Sequence, residues 1–215
     1  ALAAEGVHVA ICGRDPDRLA AAAATVGHGC VPIEADVSTA DGAARFVDEA
    51  AAALGAVDIL VPNAGGPSPG TFASTPVDAY PAALDLNLMS VVAMCKAAVP
   101  GMQEHGWGRV VAITSLSVRQ PIPNLILSNT ARAGATAFLK TLALEVAGDG
   151  VTVNTVSPGY IGTDMVRAIK PEVLEKMKGL AFVPARESRQ EFEAYIAIEN
   201  TKWQKVVQDA GVKIE

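Results

Sequence analysis

Short, almost continuously apolar segments alternate with longer helical patterns over most of this chain. The apolar segments are rich in β-branched residues and span residues 7–12, 30–35, 57–62, 109–114 and 151–156. A strand with one solvated face alternates apolar and polar residues, whereas a strand covered on both faces is apolar throughout. The pattern therefore predicts about five parallel strands buried between layers of helices.

The helical patterns lie between these segments, at residues 15–25, 40–54, 76–105 and 124–148. Strands that alternate with helices through short connections form βαβ units, in which successive strands are parallel. We therefore predict an α/β fold with a doubly wound, mostly parallel, Rossmann-like sheet.

Local features support the predicted helices. In the pattern at 124–148, apolar residues recur at three- or four-residue steps, as in a helix that packs on a sheet: Ala131, Ala135, Phe138, Leu142 and Val146. Asp15, followed by Pro16, and Ser38 are residues that favour helix N-caps. We expect helices to begin at both places.

The end of the chain differs from the rest. After Pro184 the pattern is that of one amphipathic helix, at about residues 189–210, with only a short strand-like segment at 212–214. We therefore predict two parts: a Rossmann-like domain over residues 1–180 and a C-terminal helical tail over residues 181–215.

Composition excludes several classes of protein. Apolar residues make up 50% of the chain and charged residues 19%, which is typical of a globular protein rather than a disordered one. The net charge of −6 argues against a nucleic-acid partner. Uninterrupted apolar stretches such as residues 91–95 are too short to span a membrane, and no signal peptide is evident. We expect a cytoplasmic protein with no membrane partner.

The cysteines and histidines do not suggest a metal site. Cys12, Cys30 and Cys95 are widely spaced in apolar contexts, which favours buried, reduced thiols. The histidines, His8, His28 and His105, lack the spacing of metal ligands. We expect no bound metal.

A glycine-rich turn between a strand and a helix would bind the pyrophosphate of a dinucleotide. The glycines at 27 and 29 precede a predicted strand instead of following one. The glycines at 65, 66 and 70 do follow a strand, but the prolines at 67 and 69 disfavour a helical turn there. We find no phosphate-binding turn of this kind in the sequence.

Other motifs are more specific when taken in order. They are Asn63-Ala64-Gly65 after the third predicted strand, Asn87 in a long helix, Thr114-Ser115 at the end of the fourth strand, and Pro158-Gly159 after the fifth. Over about residues 1–180 the chain resembles the short-chain dehydrogenase/reductase family, in particular its 3-oxoacyl-acyl-carrier-protein reductase-like members. The distance from Asn87 to Ser115 matches that between the structural Asn and the catalytic Ser of the family.

The resemblance implies a chemistry and assigns roles. Members of the family transfer a hydride between a nicotinamide and a ketone or secondary alcohol. Their Ser binds the substrate oxygen, their Asn holds a water, their Tyr donates the proton, and their Lys assists it and holds the nicotinamide ribose. Ser115 and Asn87 fill the first two positions, whereas Ser128 replaces the Tyr and Arg132 replaces the Lys.

These two replacements weaken the expected activity. An alkyl hydroxyl such as that of Ser128 is a far weaker acid than a phenol, whose pKa is about 10. Arg132 keeps a positive charge that can bind a ribose hydroxyl, but it stays protonated and cannot relay a proton. Tyr160 is an alternative proton donor. A non-catalytic remnant is the alternative function, in which Ser115, Ser128 and Asn87 serve only to cap helices or to hydrogen-bond the backbone.

The resemblance also implies where a cofactor binds. Arg14 follows the first predicted strand, where a cation suits the 2′-phosphate of NADP(H) and an acid such as Asp15 suits NAD(H). We expect NADP(H) in preference to NAD(H). The family's adenine contacts correspond to Asp36 and Val37, and its nicotinamide contacts to Pro158, Gly159 and Thr163. Asn63, Ala64 and Gly65 are further expected cofactor-binding residues.

Both ends of the chain depart from the family pattern. Residues 1–6 resemble the end of the helix that follows the family's first strand and Gly-rich loop, so this sequence lacks that strand, which lies between those at 7 and 57. The tail resembles the C-terminus of tripartite-tricarboxylate-type solute-binding receptors, which makes a solute-binding module a further alternative. The partners expected are a small carbonyl or alcohol substrate and a second copy of the chain, through helices 76–105 and 124–148.

Overall fold

The computed structural model describes residues 1–159 and 189–209, with side chains described to residue 202. The chain divides into two compact units, Ala1–Gly159 and Tyr160–Glu215. The predicted boundary at 180/181, Tyr160, Thr163 and the strand-like segment 212–214 all lie outside the described residues, so the two-domain division remains a prediction.

Every predicted strand is present in the first unit, although most are shorter than the apolar run. The strands are β1 (Ala10–Gly13), β2 (Val31–Glu34), β3 (Ile59–Leu60), β4 (Gly108–Ile113) and β5 (Val151–Val156). All three strand pairings are parallel: β1 with β2, β3 with β4, and β4 with β5. The parallel pairing is confirmed, whereas burial on both faces is not. Exposed residues lie on β2, at Pro32 and Glu34, and on β5, at Thr152 and Asn154.

The strands form two sheets rather than one. One sheet has the order β1-β2 and the other has the order β3-β4-β5. Within the part of the chain that the structure describes, no strand lies between β1 and β3 to join them. This is the place that the family's first strand is expected to fill.

The helices follow the predicted order. They are α1 (Pro16–Val26), α2 (Ala40–Leu54), α3 (Tyr80–Leu84), α4 (Ser90–Glu104), α5 (Ile126–Val146) and, in the second unit, α6 (Arg189–Asp209). The helix predicted at 76–105 is not uniform, because a 3₁₀ turn precedes α3 and a π-helical segment, Asp85–Met89, joins α3 to α4. Further 3₁₀ turns lie at Leu2–Glu5, Leu116–Val118 and Ala147–Asp149.

One of the two predicted caps is correct. The Asp15 side chain accepts a hydrogen bond from the backbone nitrogen of Arg18, and Pro16 is the first residue of α1. The cap of α2 is Thr39, whose Oγ1 accepts from the backbone nitrogen of Gly42. The prediction of Ser38 is therefore wrong by one residue.

Gly42 permits a close approach between α2 and the end of β2. A Cβ atom added to Gly42 would lie 2.1 Å from the carbonyl oxygen of Asp36. Any larger residue would push the first turn of α2 away from Asp36, which is a candidate cofactor contact. The glycine thus holds this loop in place.

The main core lies between the β3-β4-β5 sheet and the helices α2, α4 and α5. Its fully buried members include Met102 from α4, Val110 from β4, and Ala135 and Leu139 from α5. The stripe predicted on α5 is only partly buried. Ala131, Ala135 and Val146 are buried as expected, whereas Phe138 and Leu142 pack at the border of the core. Leu139, which the predicted stripe does not include, is buried as well, one turn after Ala135 on the same face of α5.

The helical stretch Val77–Glu104 is long and apolar enough to cross a membrane by length and composition, with a mean hydropathy of 1.5 over its most apolar window. The sequence pattern does not predict such a helix, because polar residues interrupt each apolar run. Its apolar residues contribute to the core described above, and 44% of that window is buried. We therefore interpret this stretch as a core helix.

Candidate active site

The candidate site lies where β3 and β4 end. Because parallel strands have their carboxyl ends at the same edge of a sheet, the loop after β3 and the turn after β4 are neighbours. The loop contains Asn63, Ala64 and Gly65, and the turn contains Thr114 and Ser115. We call residues 63–65 the β3 loop.

Asn87 holds the β3 loop from the side of α3 and α4. It lies in the π-helical segment and is only 4% exposed. Its Nδ2 donates a hydrogen bond of 2.7 Å to the carbonyl oxygen of Gly65. Its Oδ1 is buried and has no hydrogen-bond partner among the described residues. π-Helical segments of this kind are often found at functional sites.

A small cavity of about 10 Å³ borders Asn87, Ser90 and Arg132. A cavity of this size has room for about one water molecule. A water there would have the unpaired Oδ1 of Asn87 as an acceptor, so this polar corner of the site can hold water.

Arg132 reaches both strand ends from α5. Its Nη1 donates to the carbonyl oxygens of Ile113 and Thr114, each at 3.1 Å, and its Nη2 donates to that of Ala64 at 3.5 Å. Burial lowers the pKa of the Arg132 guanidinium. An arginine nevertheless remains protonated in proteins, so the site contains a positive charge.

Ser115 caps the short 3₁₀ turn after β4. Its Oγ accepts a hydrogen bond from the backbone nitrogen of Ser117, which leaves the hydroxyl hydrogen available for another acceptor. The next residue, Leu116, donates its backbone N–H to the carbonyl oxygen of Pro158. The structure thus brings Pro158 next to the turn that contains Ser115.

Ser128 lies in the first turn of α5, half-buried, one helical turn before Arg132. Residues four apart on a helix share a face. The Ser128 hydroxyl makes no hydrogen bond within the described residues, whereas Arg132 is engaged by three carbonyl groups. Ser128 and Arg132 therefore share one face of α5, and of the two only Arg132 makes side-chain hydrogen bonds within the described residues.

A contact between two loops was not predicted. The backbone nitrogen of Gly70 donates to the carbonyl oxygen of Asn124, and that of Ile126 donates to Gly70. The Asn129 side chain in turn donates to the carbonyl oxygen of Ile122 at 2.9 Å. These bonds tie the segment after the β3 loop to the start of α5. No sequence motif indicates them, because each depends on backbone atoms.

The candidate adenosine end lies at β1 and β2. Arg14 follows β1 and, together with Arg18 of α1, lines an open pocket of about 550 Å³. Hydrogen bonds from Ser38 lower the pKa of Asp36, and attraction by Arg14 adds to this effect. Arg14 and Asp36 are therefore neighbours, as the family pattern implies. Sequence reasoning missed Arg18, for which helix amphipathicity was the only available signal.

The predicted residues thus fall into two groups. The β3 loop, Asn87, Ser115, Arg132 and Pro158 come together at the ends of β3 and β4, and Ser128 lies one turn away on α5. Arg14, Asp36 and Val37 lie at the ends of β1 and β2, which form the other sheet. Gly159 follows Pro158, and its nearest side-chain neighbour is Leu116. Thr163 lies outside the described residues.

Comparison with known proteins agrees with this arrangement. The sequence model of the family described as short chain dehydrogenase matches residues 1–174. The chain belongs to the short-chain dehydrogenase/reductase family. This family comprises oxidoreductases that use NAD(P)(H), so the predictions of family, fold class and enzyme class are confirmed. The match ends before the tail, whose resemblance to solute-binding receptors remains a prediction.

Relatives of this short-chain dehydrogenase include named reductases. It is 38% identical over 161 residues to an acetoacetyl-CoA reductase from Cupriavidus necator. The aligned region covers 75% of this chain and 65% of the relative. It is 40% identical to nodulation protein G from Azospirillum brasilense, over 65% of this chain and 57% of the relative. The chain therefore spans less than two thirds of the length of these relatives.

Solved structures share the fold. An NADPH-bound short-chain oxidoreductase from Pseudomonas aeruginosa PAO1, described as having an atypical catalytic center, is 30% identical with a TM-score of 0.72. The match covers 82% of this chain and 69% of that one. A short-chain dehydrogenase/reductase from Burkholderia xenovorans is 34% identical with a TM-score of 0.74, over 83% and 71% of the two chains.

Proposed function

We propose that this short-chain dehydrogenase is an NADP(H)-dependent reductase of ketones of the 3-oxoacyl type, or a dehydrogenase that oxidises the corresponding secondary alcohols by hydride transfer. One observation carries the proposal. Asn87 and Arg132, from two different helical segments, hold the consecutive carbonyl groups of Gly65 and Ala64, and Arg132 also contacts the residue before Ser115. The family positions of Asn, Ser and Lys are thus assembled at one place.

Ser115 is the residue we propose to bind the substrate oxygen. Its Oγ is oriented by the backbone nitrogen of Ser117, so its hydrogen can point to a carbonyl oxygen of the substrate. When bound, NADP(H) supplies or accepts the hydride. Pro158, Gly159 and Thr163 are the residues we propose to hold its nicotinamide end, and the β3 loop is a further cofactor-binding segment.

Proton supply is the weak step in this chain. Ser128 stands at the position of the acid, and its hydroxyl ionises far above the useful range. The small cavity beside Asn87 has room for about one water molecule, and its lining includes Thr114, the residue before Ser115. We propose that this water, and not a side chain, passes a proton from solvent to the substrate oxygen. We therefore propose slow turnover, with Ser128, Arg132, Ser115 and Asn87 as the catalytic positions.

Two features support NADP(H) over NAD(H). Arg14 and Arg18 line the same pocket, which suits a 2′-phosphate. Asp15 is committed to the N-cap of α1 and is thus less available to a ribose hydroxyl. Asp36 and Val37 are the proposed adenine contacts. The described residues therefore offer contacts to the two ends of the cofactor, and they contain no Gly-rich turn for its pyrophosphate.

The proposal extends to location and partners. We propose a cytoplasmic enzyme with a small carbonyl or alcohol substrate and no nucleic-acid or membrane partner. We also propose a homo-oligomer through the predicted helices 76–105 and 124–148. Met89 on the first is 40% exposed and Leu144 on the second is 78% exposed, which leaves apolar side chains available to a second copy.

The test is a spectrophotometric assay of NADPH oxidation with acetoacetyl-CoA and longer 3-oxoacyl thioesters. We expect slow, substrate-dependent oxidation that falls about tenfold or more in Ser115→Ala. Ser117→Ala is the matched control, because it removes a buried hydroxyl with no hydrogen-bond partner from the same turn. Equal rates in the Ser115 and Ser117 variants would contradict the assignment.

A second candidate function is cofactor binding without turnover. The Ser128 and Arg132 replacements favour it, since neither side chain is a suitable proton donor. This function predicts a measurable NADPH dissociation constant together with no substrate-dependent oxidation.

A further inference from the structure

Arg132 contacts backbone carbonyl groups at the ends of two neighbouring strands. Ile113 is the last residue of β4 and Thr114 follows it, whereas Ala64 belongs to the β3 loop. The two Nη atoms therefore reach both strands from one side chain. A planar guanidinium carries several donors in a fixed fork, and this geometry allows such a bridge.

The bridge lies just beyond the last hydrogen bond that joins β3 to β4. That bond runs from the backbone nitrogen of Ile113 to the carbonyl oxygen of Pro62, at 2.9 Å. Beyond it, the backbone of Thr114 pairs with Val156 on the side of β5. On the side of β3, the guanidinium of Arg132 replaces the backbone pairing, because it donates hydrogen bonds both to the end of β4 and to Ala64 in the β3 loop.

The charge of Arg132 has no acidic partner among the described residues, whose ion pairs lie elsewhere, on α2 and α6. Three carbonyl dipoles solvate it instead, and burial lowers the pKa of the group. A half-buried cation is stable only when such polar groups surround it. The carbonyl groups and the guanidinium therefore hold each other in place.

We propose that Arg132 is a positioning residue, whose guanidinium clamps the end of β3 to the end of β4 and thereby sets the β3 loop against Ser115. The hydrogen bonds of this clamp follow from the geometry alone. Its importance for cofactor binding rests on the proposed function. A lysine would not replace it, because an ammonium is a single point charge on a shorter side chain.

Hydrogen exchange resolved by residue tests the clamp without cofactor. The amides of Ile113 and Arg109 both lie in β4 and both donate to β3, to Pro62 and Asp58, at 2.9 Å each. They differ in that only Ile113 is next to Arg132. In Arg132→Lys and Arg132→Ala we expect exchange of Ile113 to accelerate about tenfold relative to Arg109, because only the clamped end frays.

Chemical complementation adds a second readout. Ethylguanidinium should restore slow exchange of Ile113 in Arg132→Ala, whereas ethylammonium at the same concentration should not. Equal acceleration of both amides, or no acceleration, would overturn the clamp. If Arg132→Ala does not fold, the comparison of Arg132→Lys with the parent chain decides the question.

Fluorescence titration with NADPH then tests the positioning role. We expect the dissociation constant to rise about tenfold in Arg132→Lys, as for the loss of one good polar contact. An unchanged dissociation constant, with Ile113 exchange accelerated, would overturn the positioning role. If the parent chain binds no NADPH, the proposed function fails, and the exchange data still decide whether the clamp exists.

Discussion

Nδ2 of Asn87 lies 2.7 Å from the carbonyl oxygen of Gly65, which joins the π-helical segment to the β3 loop across 22 positions of sequence. The π-helical turn directs this side chain inward, towards a loop that makes no backbone–backbone hydrogen bond within the described residues. One amide thus positions the loop and leaves its oxygen free for water. The same residue links the fold to the proposed proton route.

Asn87→Ala should destabilise the fold, because it removes this bond from a buried position. We expect the free energy of unfolding to fall by about 1–3 kcal/mol, as for other buried hydrogen bonds. Urea denaturation followed by circular dichroism measures it. Asn200→Ala, on the exposed surface of α6, is the control and should change it by less than about 0.5 kcal/mol. Similar losses in both variants would contradict the role given to Asn87.

Arg14→Ala should reduce the preference for NADPH over NADH. We expect the dissociation constant of NADPH to rise at least about tenfold and that of NADH to change little. Only NADPH has the 2′-phosphate, so only NADPH loses a hydrogen bond between charged groups. Fluorescence titration of both cofactors measures the ratio. Arg45→Ala, on the exposed surface of α2, removes an equal charge and should leave the ratio unchanged. An unchanged ratio in Arg14→Ala would exclude Arg14 as the 2′-phosphate ligand.

Ser128→Tyr should increase ketone reduction. It introduces a phenol one turn before Arg132 on the same face of α5, and a positioned general acid contributes about 10²–10⁴-fold. The rate of NADPH oxidation with a 3-oxoacyl thioester at high cofactor concentration measures the gain. Thr130→Tyr, at an exposed position of the same helix, should give none. No gain from Ser128→Tyr would indicate that the α5 face does not point at the substrate.

Cys95 should make stability depend on pH in the alkaline range. It is a free, buried thiol on α4, and burial raises its pKa to about 12. In the unfolded chain the thiol ionises near pH ~8.5, so its contribution is complete below that pH and is lost as the pH rises towards the folded value. The parent chain should therefore lose stability more steeply than Cys95→Ala above pH ~9, by up to about 1.4 kcal/mol per pH unit. Parallel curves from urea denaturation at several pH values would contradict this.

Much of the fold could be predicted because the segments that form it carry strong patterns. The α2 helix and the β5 strand have the predicted bounds, since each is a periodic or apolar run with clear ends. The β3 strand is shorter than its apolar run, because strand length depends on a partner strand as well as on composition. A pattern along one chain segment does not contain that information.

For the candidate site, the sequence predicts which residues belong to it but not which atoms those residues contact. The order and spacing of Asn87, Ser115 and Arg132 follow from the family resemblance. That Arg132 contacts carbonyl groups does not, because the direction of a long side chain depends on how α5 packs against β4. Arg18 was missed for a similar reason, since its place beside Arg14 appears only when α1 is set against β1.

The pairing of β4 with β5 joins residues that are separated in sequence by the whole of α5. The chain must therefore close a long loop before the first of these hydrogen bonds forms, and such non-local pairing slows folding. Since the candidate site lies at the ends of β3 and β4, it is completed only after that closure. Collapsed states that form early, with helices in place but strands unpaired, would lack the site entirely.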